Sequence, residues 1–168
     1  MSTDHRAGWA SLLLRSVVGA TMIAHGVKHG RTLAGTAGWF KSIGFHRPGL
    51  QARASAVVEI GSGAALVTGA ATPLAAAGVV ATMAIAARTV HARNGFFITA
   101  EGWEYVANLA AAAVALAGFG PGPSSVDHLL GLHRRLATQR SMTIAAGRGL
   151  AASALHLSRY WRKPTATP

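Results

Sequence analysis

Apolar positions gather in four runs, Trp9 to Ala24, Ala54 to Ala71, Leu74 to Ala87 and Val106 to Phe119, separated by polar stretches. With its polar flanks, each run approaches the roughly 20 residues that cross a bilayer. The pattern predicts helices over Trp9–Val27, Gln51–Ala71, Pro73–Arg93 and Gly102–Gly118. Pro73 suits a first helical turn, where its missing N–H costs nothing. The connection at Ala71-Thr72 is so short that the second and third helices must be antiparallel neighbours. Ala and Gly dominate over Leu, which suits helices packed backbone to backbone in lipid. The expected fold is all-α, a transmembrane four-helix bundle with both chain termini on one side.

The intervening stretches refine this picture. In HGRTLAGTAGWFKSIGFHRPGL, Leu33, Ala37, Trp39, Phe40 and Ile43 form one apolar face, which predicts a short interfacial helix between the first two spans. ARNGFFITAEGWEY joins a turn-forming Asn94-Gly95 to Phe96, Phe97, Trp103 and Tyr105, aromatics that suit a membrane boundary or a lid over the bundle. After Pro121-Gly122-Pro123 the composition changes. Val126 to Leu136 and Met142 to Leu157 keep helical apolar spacing, but Arg134, Arg135, Arg140, Arg148 and Arg159 recur too often for a fifth span. The expected organisation is a membrane domain over residues 1–123 and a basic tail of surface-lying amphipathic helices over 124–168, ending in a disordered Pro/Thr segment.

Of the 168 residues, 51% are hydrophobic and 12% charged, too apolar for an ordinary soluble domain. The formal charge of +11 is spread along flanks and tail rather than along one stripe beside stacking aromatics. It therefore fits contact with anionic lipid headgroups and not nucleic acid. The seven basic residues of the tail favour cytoplasmic termini on a multi-pass protein of the bacterial inner membrane. The chain has no cysteine, which excludes a thiol relay, CxxC haem attachment and quinone-coupled disulfide chemistry.

Candidate chemistry starts from AVVEIGSGAAL, where Glu59 stands without a charged neighbour for five residues on either side. An ionised side chain in hydrocarbon costs about 2.5–3.5 kcal/mol, so Glu59 is expected to face inward and find a partner. Alternating helix directions place His25, Glu59, His91 and Glu104 in one leaflet, with Arg88 one turn deeper than His91 and Asn108 one turn beyond Glu104. The cluster admits two readings: a buried hydrogen-bond network that sets helix rotation, or a pocket that binds a ligand and handles protons. A haem held axially between His25 and His91 is a further, weaker alternative; no metal-binding motif is present. His5, His29, His46, His128, His133 and His156 fall outside the expected spans and read as solvated, and Arg15 as snorkelling or pairing across the bundle.

These residues resemble the DoxX family of small four-helix membrane proteins, of the actinobacterial type. The resemblance runs through LLLRSVVGATMIAHGVKHG, GTAGWFKSIGF, AVVEIGSGAALVTGAATPLAA, HARNGFF, WEY and GPGPSSVDHLL, in order, over roughly residues 12 to 130. It implies membrane redox chemistry: one branch of the family is a subunit of a thiosulfate:quinone oxidoreductase, and actinobacterial members are linked to a complex with a superoxide dismutase and a sulfurtransferase. His25, Glu59, His91, Asn94, Glu104 and Tyr105 fall on recurrent polar or motif positions.

The resulting expectation is an integral membrane subunit of a redox system that binds quinone or another small apolar ligand and works with a partner oxidoreductase. Glu59 and His91 are the candidate catalytic residues. His25, Glu59, Arg88, His91, Asn94, Glu104, Tyr105 and Asn108 are the candidate ligand-binding set. The alternative, from a different class, is a non-catalytic scaffold or accessory subunit of a larger membrane complex, as a homo-oligomer or with other subunits. A small transporter is the third, disfavoured because four short helices enclose little volume.

Overall fold

Seven α-helices make up the computed structural model, which describes residues 3–134 and 137–164. They are α1 (Thr3–Arg31), α2 (Leu33–Ser42), α3 (Pro48–Thr68), α4 (Thr72–Ala86), α5 (Glu104–Phe119), α6 (Val126–Leu129) and α7 (Thr138–Tyr160). α4 continues through a π-helical turn at Ala87–His91 and a 3-10 turn at Ala92–Asn94. The stretches Gly8–Arg31 and Thr72–Asn94 are each long and apolar enough to cross a membrane, and α5 is apolar but shorter. The expected interfacial helix is present as α2. The last residues of the first tail segment, 135–136, and the end of the Pro/Thr segment, 165–168, lie outside the described residues.

Small residues set the closest helix approach. A Cβ added at Gly19 would lie 2.7 Å from the Gly63 carbonyl oxygen, and one at Gly26 would lie 2.9 Å from the Ala56 oxygen and from Glu59 Cβ. α1 and α3 therefore pack antiparallel with their backbones nearly touching, as Gly- and Ala-rich helices allow. α3 stops at Gly69 in the left-handed region (φ 66°), and α4 starts after Ala71 with Pro73 in its first turn. The core joins Val18 and Met22 of α1, Leu66 of α3, Ala76 and Val79 of α4, Ala113 and Leu116 of α5, and Ala145 of α7.

The tail forms a long helix that lies on the bundle. α7 has 23 residues, about 34 Å of helix, and packs lengthwise on α4 and α5. Met142 meets Gly118 at the end of α5, a Cβ at Gly149 would fall 2.6 Å from Val80 Cβ, and the Arg88 guanidinium lies 4.8 Å from the Trp161 ring. α7 thus runs parallel to α4 as a fifth long helix beside the expected four. Its periodic stripe of Ser141, Ala145, Gly149 and Ser153 is buried, and its arginines point elsewhere. The expected tail helix lies along the bundle through this small-residue face, and it is not among the helices apolar enough to cross a membrane.

Among the described residues, the first turns of α1 and the end of α7 lie at opposite ends of the bundle. Near the N-terminus, Gly8 abuts Pro123 and Ser11 Oγ donates to Gly120 O at 2.7 Å. At the other end, Trp161 Nε1 donates to Ile43 O at 2.8 Å and Phe45 pairs with Trp161 across a single antiparallel bridge. The even number of long helices expected from hydropathy put both termini together. α7 adds a further long helix, which carries the described C-terminal residues to the other end of the bundle.

Candidate functional site

Glu59 faces the interior, as a lone acid in an apolar run should, with 4% of its surface exposed. Its neighbours are not the expected ones. Ser55, one turn earlier on α3, donates from Oγ to Glu59 Oε1 at 2.6 Å. His29 Nδ1 stands 3.0 Å from Ser55 Oγ and 3.2 Å from Glu59 Oε2. With the Ser55 hydrogen directed to Glu59, an N–H at His29 Nδ1 donates to the hydroxyl oxygen. The His29–Oε2 approach lacks hydrogen-bond alignment, so Oε2 has no hydrogen-bond partner among the described residues. This is not a nucleophile triad, because the serine donates to the acid instead of to the histidine.

The local cause lies in α1. Gly26 lets α1 approach Glu59 Cβ, and His29, almost one turn further on, reaches the carboxylate. The helix was expected to end at Val27, which left His29 in a loop. It continues to Arg31. The overlooked signal is VKHGR, a basic last turn that complements the negative end of a helix dipole.

The other anticipated residues form two separate groups. His25 is exposed, its ring centroid 6.4 Å from Tyr105, and Asn108 is exposed one turn further along α5. His91 and Asn94 belong to the loop: Glu101 O is 2.6 Å from His91 Nδ1 and accepts from Asn94 Nδ2 at 3.3 Å. Glu104 Oε2 accepts the Ile98 N–H at 3.0 Å, closing the same loop. Arg88 points outward onto Trp161. The expectation that Glu59 meets His25 or His91, with Arg88 or Glu104 completing the cluster, is therefore corrected. Azimuth around each helix was not available from spacing alone, and the π-helical turn rotates the end of α4.

Glu59 and His29 line a groove of about 420 Å3. Its floor is the small-residue face of α4 at Ala77, Gly78 and Ala81, and its walls are α3 and α7, which contributes Arg148, Ala152 and His156. Trp39 and Phe40 of α2 cover one end, their rings 5.2 Å apart, with Phe40 packed edge-on against Phe45 at 5.1 Å. Gln51 and Thr89 are the other buried polar groups in the lining. The site is thus mainly apolar with polar atoms concentrated at Glu59, the usual character of a small-molecule pocket. Among the described residues, no three His, Cys, Asp or Glu side chains converge as metal ligands.

Comparison with family models matches residues 10–92 to the DoxX family. Through this segment, close to half of its length, the chain belongs to the DoxX family. The match covers α1 to α4 and hence Glu59, His29 and Ser55; α5 and α7 lie beyond it. No curated protein and no solved structure matches the chain. Family and apolar helices together indicate a membrane protein.

Proposed function

We propose that the groove holds the head of a quinone, or of a similar small apolar ligand, for a membrane redox system whose electrons come from a partner oxidoreductase. The observation that carries the reading is Glu59, which lines an apolar groove while its buried Oε2 has no hydrogen-bond partner among the described residues. A buried polar atom without a partner costs about 1–3 kcal/mol, and a ligand hydroxyl would recover that. A quinol O–H can donate to Oε2, and a protonated Glu59 can donate to a quinone carbonyl. Reduction takes up two electrons from the partner and two protons. Glu59 delivers protons at the ligand oxygen, and His29, about a fifth exposed, connects it to the corner of α1 and α2. Trp39 and Phe40 flank the ring, and the lip at Val58, 44% exposed, leaves a lateral way in from the bilayer. Glu59 and His29 take the roles expected of Glu59 and His91.

The test is quinone content after purification in mild detergent, measured by extraction and mass spectrometry. Glu59→Gln keeps the acceptor for Ser55 but cannot ionise, so the protein should fold and lose partner-dependent quinone reduction. His29→Ala should lower bound quinone, whereas His25→Ala and His91→Ala should leave it unchanged. Equal quinone content in wild type, Glu59→Leu and His29→Ala would refute the reading and leave an accessory scaffold as the function.

A further inference from the structure

A second cavity, of about 850 Å3, lies at the opposite end of the bundle, between the start of α4, the end of α5, α6 and the first turns of α7. Its polar lining is built for negative charge. Thr138, Ser141 and Arg148 lie along one face of α7, and His128 and His133 face them, their rings stacked 4.3 Å apart at 18°. Among the described residues, His133 Nδ1 is buried without a hydrogen-bond partner and Arg148 has no ion-pair partner. The first turn of α7 has no side-chain cap, which leaves backbone N–H groups at the positive end of the helix dipole.

The one carboxylate in this lining is already occupied. Asp127 accepts from Ala71 N at 2.7 Å and from Thr72 N and Oγ1 at 2.8 Å each, so its charge is directed into the start of α4. What remains is a guanidinium, two imidazoles and a helix start without an acid to balance them. Arg148 is exposed on α7 with no acid to balance it among the described residues, and a planar guanidinium matches a phosphate group. Leu74, Phe119 and Ile144 make the rest of the wall apolar. The cavity sits where α4 and α7 begin and α5 ends, the level of a membrane boundary for helices of this length.

We propose that this cavity binds an acidic phospholipid, its phosphate held by Arg148, His128 and His133 and its chains leaving along Leu74 and Phe119. The apolar wall and the depth favour a phosphate carried on lipid over free phosphate. This site is separate from the Glu59 groove, although Arg148 borders both.

Native mass spectrometry of the whole protein in neutral detergent, titrated with phosphatidylglycerol, phosphatidylcholine or inorganic phosphate, tests this. Phosphatidylglycerol should be retained at least about tenfold more tightly than phosphatidylcholine, and Arg148→Gln should abolish that preference, consistent with the loss of one charge-assisted hydrogen bond. Should Arg148→Gln fail to fold, the double variant His128→Gln/His133→Gln, with Arg148 intact, should still lose most of the preference. Arg140→Gln makes the same change in net charge at an exposed residue outside the cavity and should bind as wild type. Equal retention of the two lipids, or equal weakening by Arg140→Gln, would overturn the site. Displacement of phosphatidylglycerol by millimolar inorganic phosphate would overturn the lipid assignment in favour of a soluble anion.

Discussion

Asp127→Ala removes a carboxylate that is 4% exposed and ties the start of α4 to a segment 55 residues later in the chain. Three donors lose their acceptor: the Ala71 and Thr72 N–H groups and the Thr72 hydroxyl. Loss of an N-cap side chain alone costs about 0.5–2 kcal/mol. The corner is also buried and charged. Gly69 O accepts the Asp127 N–H at 2.9 Å, and a Cβ at Gly69 would collide with the Arg15 guanidinium. Arg15 is 1% exposed, and its described partner is Ser124 O at 2.8 Å. No ion pair joins Arg15 to Asp127 among the described residues, so the loss of about 3–5 kcal/mol on breaking a buried pair is an upper bound for this cation. The two mechanisms bracket the loss at about 2–5 kcal/mol. At about 2–4 °C per kcal/mol for a chain of this size, the unfolding midpoint should fall by about 4–20 °C. Asp127→Asn keeps one carbonyl oxygen and should lose roughly half as much. Thermal unfolding in detergent, followed by tryptophan fluorescence, reads both. An Asp127→Ala midpoint within about 2 °C of wild type would refute the idea that this acid holds the α3–α4 turn, as would an Asn variant less stable than the Ala variant.

Gly149→Ala should destabilise by about 1–3 kcal/mol through the clash with Val80, measured by the same melt, because no flexible side chain can yield at the α4–α7 contact. Trp161→Phe keeps a ring under Arg88 but leaves Ile43 O without its donor, so it should cost about 1 kcal/mol. Single cysteines at Thr3 and Lys163, introduced into a chain that has none, lie at opposite ends of the bundle and should label from opposite sides of a membrane the bundle spans; labelling from one side would refute that orientation. Truncation after Pro123 should prevent stable insertion, since it removes α7, the Asp127 cap and the Ser124 partner of Arg15.

Hydropathy alone located α1 to α5, since burying backbone polar groups in an apolar medium leaves helix as the available local structure. It also showed that Glu59 must face inward, because the cost of exposing an acid to lipid does not depend on which helix receives it. Glycine and alanine content foretold close packing without naming the partners. Other decisions belonged to the tertiary structure. Whether His25 or His29 meets Glu59 depends on the azimuth of α1 against α3, fixed where Gly26 lets the backbones touch and by four further helical residues past Val27. His91 and Glu104 are equally polar but are taken by the loop between α4 and α5, whose hydrogen bonds lie within reach at lower entropic cost. The role of α7 was hidden because its arginines dominate any average over the segment, whereas packing uses only the narrow stripe of Ser141, Ala145, Gly149 and Ser153. Asp127, read from sequence as part of a family motif, becomes the cap of α4 only when a chain segment 55 residues away folds back onto it, a contact no local pattern encodes.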